Sequence, residues 1–216
     1  DAIIAAWAKA INAAAPELTL FNDTAWKRPD QAKIQDAITT ADILCPALPR
    51  YIAGGASQKY FQDLIAQGKT MWFYQASGPT YNMDPQLYYR YQAWHAFSAN
   101  ATGEGFWSFG DTGKAPTSWN GYSDTGVVYS PVYFGQTTVD TSIRWEAVRE
   151  GVEDYETLAM LKDAIANSRN ADWKTRAQKA LDDAVKAVTE IWAPNYSRDT
   201  EDPNLADAQL QKVRDM

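Results

Sequence analysis

Short apolar runs alternate with amphipathic stretches along the first half of the chain, and each run ends in polar or small residues. A short apolar run bounded by turn residues predicts a buried strand, whereas apolar residues repeated every three or four positions predict a helix. The pattern predicts four strands, at residues 18–23, 42–48, 70–75 and 105–111. Because a helix is predicted between each pair, we expect the strands to be parallel and joined by crossover helices.

Residues that favour helix ends bound the predicted helices of this half. The first helix is predicted over residues 1–15 and the second over residues 30–40. Ser57 is predicted to cap the third helix, and Asp84, followed by Pro85 at the first helical position, the fourth.

The second half of the sequence changes to a long loop, residues 112–140, and then to helices. Loops of this length are functional or disordered, and the aromatic residues of this one favour order. A long helix is predicted over residues 142–166, and two further helices over 172–192 and 204–214. The predicted buried stripe of the long helix consists of Trp145, Val148, Val152, Tyr155 and Ala159.

Four parallel strands cannot close a (β/α)8 barrel of the TIM type, which needs eight. Two α/β folds are therefore compatible with the pattern: a doubly wound open sheet, and the C-terminal half of a barrel. The first predicted element is a helix with no strand before it, which favours the half-barrel. On that interpretation residues 1–166 form the C-terminal half of a barrel, strands five to eight, and residues 167–216 form a helical extension.

The composition narrows the class of ligand. A net charge of −7 and a pI near 4.7 argue against nucleic acid, and no apolar run approaches membrane-spanning length. With Cys45 and His95 as single representatives of their types, we expect no internal disulfide, no metal site and no cofactor. The chain also has nine Trp and twelve Tyr, which indicates either thick aromatic packing or a ligand cleft lined with rings.

Candidate binding residues follow from the predicted strand ends, because ligands of parallel α/β folds bind at the C-terminal ends of strands. Sugar rings stack their apolar faces on aromatic side chains and present hydroxyl groups to carboxylates and amides. An alternative is open for each candidate: turn formation for the Asn and Asp residues, and packing for the aromatic ones. The candidates are Asn22, Asp23, Tyr74, Gln75, Trp107, Phe109 and Asp111, with Trp119 and Tyr122 in the long loop.

Four segments carry a resemblance to a known family: WFYQASGP at 72–79, YYRYQAWHAF at 88–97, GFWSFGD at 105–111, and SIRWEAVREGVEDYETL at 142–158. In these the chain resembles the C-terminal region of glycoside hydrolase family 123-like proteins, often catalogued as a domain of unknown function. The resemblance implies a half-barrel and a carbohydrate ligand. It also implies retaining cleavage of β-linked N-acetylgalactosamine, with the substrate's acetamido group as the nucleophile, and slightly favours a secreted or periplasmic location.

The resemblance also implies that catalysis depends on an adjacent Asp–Glu pair at the end of the fourth barrel strand, ahead of residue 1. The sequence contains no Asp–Glu dipeptide, so no catalytic residue is carried over to it. The chain is then expected to supply the substrate-binding half of a site. Its expected partners are the N-terminal half of the same barrel or a second copy, since the outer strands would have unpaired edges.

Two other functions are open. Asp23 and Asp111 could themselves flank a glycosidic bond as an inverting pair, if separate strand ends hold them about 6.5–9.5 Å apart. The chain could also be a non-catalytic carbohydrate-binding or structural module. We further expect Arg144 to form a structural ion pair with a buried carboxylate, and His95 and Cys45 to be packing residues.

Overall fold

The structure is a computed structural model that describes residues 2–24, 29–30, 32–120, 128–191 and 202–216. The chain forms two compact units. Unit 1 consists of Asp1–Ala76 and Ala99–Phe106, and unit 2 of Ser77–Ser98 and Trp107–Met216. Tyr122, one of the predicted binding residues, lies outside the described residues.

Unit 1 is built on a four-stranded sheet with the order β1-β2-β3-β4. All three pairings are parallel, which confirms the predicted α/β class and strand direction. The strands are β1 (Phe21–Thr24), β2 (Ile43–Pro46), β3 (Thr70–Gln75) and β4 (Gly103–Phe106).

The helices of unit 1 are α1 (Ala2–Ala14), α2 (Ala32–Thr39), α3 (Leu48–Ile52) and α4 (Gly55–Ala66). Of these, α1 precedes β1, α2 connects β1 to β2, and α3 and α4 connect β2 to β3; one of them was not predicted. The unpredicted helix is α3, which begins at Leu48, a residue predicted to end the preceding strand. The predicted cap of α4 is wrong: Gly54, with φ of 76°, precedes the helix, and Ser57 is buried within it.

The pleat of the sheet gives it one covered and one open face. Leu44, Met71, Phe73 and Gln75 alternate onto the covered face, where each is at most 1% exposed. On the opposite face, Phe21 and Asp23 are exposed, and Ile43, Trp72 and Tyr74 are half-buried. We call the second surface the open face of the sheet.

Unit 2 is mostly helical. A π-helical turn at Gln86–Arg90 leads into α5 (Tyr91–Ser98), and the carboxylate of Asp84 caps this segment by accepting from the backbone N–H groups of Gln86 and Leu87 at 2.8 and 3.2 Å. The prediction of Asp84 as a cap is thus confirmed. The remaining elements are a hairpin of β5 (Tyr133–Phe134) and β6 (Val139–Asp140), followed by α6 (Ile143–Asn167), α7 (Ala171–Thr189) and α8 (Leu205–Arg214).

The buried side of α6 differs from the predicted stripe. Val152 is 47% exposed and Trp145 36%, and the face that packs is rotated away from them. The reason is close approach: a Cβ atom on Gly151 would lie 2.9 Å from the carbonyl oxygen of Arg90, so only glycine fits there. The buried residues of α6 are Arg144, Ala147, Gly151, Asp154, Leu158, Leu161 and Ile165.

No helix among the described residues is both long and apolar enough to cross a membrane.

Candidate functional site

The C-terminal ends of the strands bring a carboxylate and a phenol together on the open face. Asp23 ends β1 and Tyr74 lies near the end of β3, on either side of Cys45 in β2. Burial raises the pKa of the Tyr74 hydroxyl to about 12, with a further rise from the charge of Asp23 and the hydrogen bond to it. The hydroxyl therefore stays protonated and donates to the Asp23 carboxylate, which leaves the other lone pairs of Asp23 open to a ligand.

Cys45, between these two groups, is 4% exposed. Burial, and to a smaller extent the charge of Asp23, raises the pKa of its thiol to about 12. A thiol that stays protonated is a poor nucleophile, so Cys45 serves as a small packing residue, as expected.

Asn22 and Gln75 lie on the covered face, opposite Asp23 and Tyr74. The side-chain amide of Asn22 donates to the carbonyl of Ala37 in α2 at 3.1 Å, and Gln75 is 1% exposed. The physical reason is the period of two in a strand, which sends neighbouring residues to opposite faces. The sequence pattern predicted these strand ends, but it gave both residues of each adjacent pair the same binding role although they point to opposite faces.

Two aromatic side chains extend the open face below Asp23 and Tyr74. The rings of Phe21 and Trp72 are 5.7 Å apart and tilted by 58°. The indole of Trp72 lies across Gly103, where a Cβ atom would come within 2.6 Å of the ring. Gly103 thus holds a flat aromatic surface on this part of the sheet, a feature that sequence reasoning missed.

Trp107, Phe109 and Asp111 lie beyond β4, not on it. The strand ends at Phe106, so the predicted strand over residues 105–111 is wrong beyond residue 106. The three residues belong to a loop that is tied by backbone hydrogen bonds: the N–H groups of Tyr129 and Ser130 donate to the carbonyl of Asp111.

In that loop Trp107 and Asp111 contact each other. The indole Nε1–H of Trp107 donates to Oδ2 of Asp111 at 3.1 Å, and the backbone N–H of Gly113 donates to Oδ1 at 2.9 Å. The Trp107 side chain is 56% exposed. The arrangement fixes one edge of the indole beside a carboxylate while the ring remains accessible to solvent.

Phe109 belongs to a second group of rings in unit 2. Its ring meets Phe134 at 5.6 Å and Trp145 at 5.4 Å, both edge to face, and Phe109 remains 45% exposed. We call these three residues the Phe109 cluster.

The long loop places Trp119 against Tyr133. The two rings are stacked with centroids 4.6 Å apart and planes 15° from parallel, and Trp119 is 57% exposed. Sequence reasoning predicted order in this loop from its aromatic residues, and the stack accounts for that order at Trp119.

Among the described residues, Arg144 has no carboxylate partner of the kind that was predicted. Its guanidinium donates to the carbonyls of Thr80 at 3.2 Å and Tyr81 at 3.0 Å, and lies 4.6 Å from the centre of the Tyr81 ring. Backbone carbonyls carry no sequence signature, so this partner could not be predicted from residue types.

Buried titratable groups occur in both units. In unit 2, burial lowers the pKa of His95 to about 4, so the imidazole is neutral near pH 7 and serves packing, as expected. In unit 1, burial raises the pKa of Glu104 to about 8, and its Oε2 atom is shielded from solvent without a hydrogen-bond partner among the described residues. Within the ranges that the structure describes, in both units, no group of three or more His, Cys, Asp or Glu side chains is placed to hold a metal ion.

The exposed side chains of these residues can bind a ligand by hydrogen bonding and by ring stacking. Carboxylates at Asp23 and Asp111 accept hydrogen bonds from hydroxyl groups, and the exposed rings of Trp107 and Trp119 offer surfaces for stacking. This combination suits ligands that have both hydroxyl groups and apolar C–H faces.

The family model for the catalytic domain of glycoside hydrolase 123 matches residues 8–161. Among solved structures, the chain is similar to a family 123 glycoside hydrolase from Clostridium perfringens, described in a structural study of glycolipid glycan hydrolysis. The two share 14% sequence identity with a TM-score of 0.49, and the match covers 82% of this chain and 32% of that one. This chain thus spans about a third of the length of that relative. No curated protein matches the sequence.

Proposed function

Because this chain belongs to the family of glycoside hydrolase 123 catalytic domains, we propose that it supplies the substrate-binding part of a glycoside hydrolase. The proposed substrates are N-acetylhexosamine glycosides of the β-N-acetylgalactosaminide type. Hydrolysis is proposed to be retaining, with the acetamido oxygen of the substrate attacking the anomeric carbon while a carboxylic acid protonates the leaving oxygen.

The observation that carries the proposal is the pairing of Trp107 with Asp111. An indole that is 56% exposed and held by a 3.1 Å hydrogen bond to a carboxylate presents a rigid stacking face with an acceptor at its edge. A sugar ring can stack on that face and donate a hydroxyl hydrogen bond to the same carboxylate. Because the pair is already ordered, little side-chain entropy is lost when a ligand binds.

Asp23 and Tyr74 support the proposal from unit 1. Both lie at strand ends on the open face, and the Tyr74 hydroxyl orients the Asp23 carboxylate. In parallel α/β folds this end of the sheet is where ligands bind. Within unit 1 taken by itself, we therefore propose Asp23 and Tyr74 as contacts for saccharide hydroxyl groups, and assign no binding role to Asn22 and Gln75.

The acid–base pair is proposed to lie on a different polypeptide segment, since this sequence has no dipeptide in the order Asp–Glu. Residues 1–166 are then half of a (β/α)8 barrel, with β1 to β4 as strands five to eight. Unit 1 offers the edges that this needs: in the described part of the chain β1 pairs with β2 alone and β4 with β3 alone. An uncovered edge of this kind readily pairs with another strand.

An apolar groove beside β1 fits the same proposal. Its volume is about 490 Å3, and its wall residues Ile3, Trp7 and Phe21 are 72%, 67% and 53% exposed. Exposed apolar side chains grouped in this way mark interaction sites. The proposed occupant is a further strand–helix segment of the barrel, which would pair with β1 and cover α1.

The test is calorimetric titration of the chain with N-acetylgalactosamine, together with an assay on an aryl β-N-acetylgalactosaminide. We expect binding that Trp107→Ala weakens at least tenfold and that Trp173→Phe leaves unchanged, because Trp173 donates its indole N–H to the carbonyl of Met216, outside the proposed site. Absence of binding to the wild-type chain would refute the proposal.

The turnover assay separates the alternatives. Binding without turnover by the isolated chain is expected, and turnover should appear when a polypeptide carrying the first four barrel strands is added. Turnover by the isolated chain that is abolished by both Asp23→Ala and Asp111→Ala would instead support the inverting pair. Binding that never leads to turnover, even with the added polypeptide, would support a non-catalytic module.

A further inference from the structure

Four side chains of unit 2 form a continuous stack that ends at the surface. Trp119 stacks on Tyr133, and Tyr133 stacks on Tyr81 with centroids 5.6 Å apart and planes 20° from parallel. The guanidinium of Arg144 lies over the Tyr81 ring at 4.6 Å. We call this group the Trp119 column.

Hydrogen bonds hold the buried end of the column. Arg144 is 9% exposed and donates to two carbonyls of the 3-10 turn Thr80–Asn82, which carries Tyr81. The cation–π contact and these bonds fix the position and plane of the Tyr81 ring. The stack is therefore built on a rigid base.

A second anchor fixes the outer end. The hydroxyl of Ser118, which is fully buried, accepts a hydrogen bond from the backbone N–H of Phe134 at 2.8 Å. This bond ties the 3-10 turn Ser118–Asn120 to β5, so that Trp119 lies over Tyr133. One face of the indole is covered by Tyr133, and the residue as a whole is 57% exposed.

The Trp119 column is separate from the Phe109 cluster. Tyr133 and Phe134 are neighbours in β5, and adjacent residues of a strand point to opposite faces. Tyr133 contacts Trp119, whereas Phe134 contacts Phe109. The hairpin β5–β6 therefore divides two aromatic surfaces, and Trp119 stacks on the side away from Phe109.

We propose that the open face of Trp119 is a second saccharide subsite, which stacks a sugar ring other than the one bound by Trp107 and Asp111. This inference rests on the proposed function and adds that the ligand is an oligosaccharide, with at least one ring beyond the residue to be cleaved. A pyranose is the ring class that fits, since stacking needs an apolar C–H face and the net charge of −7 disfavours nucleic acid. The preformed column keeps the entropic cost of binding low.

The test is calorimetric titration of the whole chain with β-linked N-acetylhexosamine saccharides of one, two and three rings. Trp119→Ala is expected to weaken binding of one of the longer saccharides by about tenfold, the size of a single stacking contact, and to leave the monosaccharide unaffected. Trp119→Phe should recover part of the loss because it keeps an aromatic face. Met160→Ala is the matched control, since it removes an apolar side chain of unit 2 that is 65% exposed.

Each other outcome overturns the inference. If Trp119→Ala binds every saccharide like the wild type, the subsite does not exist, and the proposed function still stands where Trp107→Ala weakens the monosaccharide. If Trp119→Ala weakens all three saccharides equally, Trp119 belongs to the first subsite. If the wild-type chain binds none of them, the inference fails together with the proposed function.

Discussion

Arg90 and Asp154 form a buried, two-point ion pair between the π-helical turn and α6. Nε of Arg90 donates to Oδ2 of Asp154 at 2.6 Å, and Nη2 donates to Oδ1 at 3.1 Å. The indole N–H of Trp94 also donates to Oδ2, at 2.8 Å. Burial by itself lowers the pKa of Arg90, but the hydrogen bonds and charges of Asp154 and Asp207 outweigh it and raise the pKa, so the guanidinium stays charged.

Asp154→Asn is expected to destabilise the chain by about 1–3 kcal/mol, because it removes the most deeply buried counterion of Arg90, which keeps Asp207 at 2.6 Å and Glu150 at 3.3 Å as partners. The free energy of unfolding, measured in urea, checks this. Glu153→Gln is the control: Glu153 is the exposed neighbour and pairs with Arg149 at 2.5 Å on the surface, so we expect a change below about 0.5 kcal/mol. Equal effects of the two substitutions would contradict the structural role of the pair.

This ion pair could not be predicted from the sequence pattern. Arg90 and Asp154 are 64 positions apart, and neither stands out from the other charged residues of the sequence. The buried stripe of α6 was predicted from its apolar residues, which include Trp145 and Val152. The structure instead buries charged and small residues, because pairing and close approach decide the packing of this helix.

The parallel sheet was predictable because short apolar runs lie on or next to its strands and helices separate them, a local pattern that the sequence shows directly. The boundaries of β4 were not, because glycines at 103 and 105 have low strand propensity and hid its beginning. The aromatic stack at Trp119 depends on a hydrogen bond between Ser118 and Phe134, 16 residues apart, which no local pattern records. Asp23 and Tyr74 were predicted at strand ends, and the structure places both of them there.

Glu104 makes the stability of the chain depend on pH. Its folded-state pKa is about 8 and its ordinary value 4.5, so between these values the folded state binds more protons than the unfolded state, and stability falls as pH rises. His95, with a pKa lowered to about 4, acts in the opposite direction, and its effect fades as pH rises past its ordinary value of 6.5. Because a Glu104→Gln variant keeps His95, the difference between the two proteins isolates the effect of Glu104.

Glu104→Gln should remove this dependence. We expect the wild-type free energy of unfolding to fall, relative to that of the variant, by on the order of 1 kcal/mol between pH 6.5 and 8, a figure that allows for partial exposure of the residue. Urea unfolding at a series of pH values measures both. Parallel profiles for the two proteins would show that Glu104 is not protonated in the folded chain.

The apolar surface on α1 and β1 predicts self-association of the isolated chain. Trp7 and Ile3 are expected to contact a second copy when the proposed strand–helix segment is not present, because exposed apolar groups of this size associate in water. The double substitution Ile3→Ser and Trp7→Ser should shift the mass measured by light scattering toward that of a monomer. Met160→Ser, at a similarly exposed apolar site, should leave the mass unchanged.

A strictly monomeric wild-type chain over a wide concentration range would contradict this prediction. It would count against the half-barrel and favour a self-sufficient open sheet. The saccharide-binding proposal would be unaffected by this result, because it rests on Trp107 and Asp111.

The most direct test of the central claim is a titration of the 15N-labelled chain with N-acetylgalactosamine, observed through the indole N–H signals of its tryptophans. The signal of Trp107 should move in a saturable manner, because a sugar that stacks on the ring and bonds to Asp111 changes the surroundings of Nε1. The signal of Trp173, whose indole N–H donates to the carbonyl of Met216, should stay in place. A Trp107 signal that does not move at saturating sugar would contradict the account.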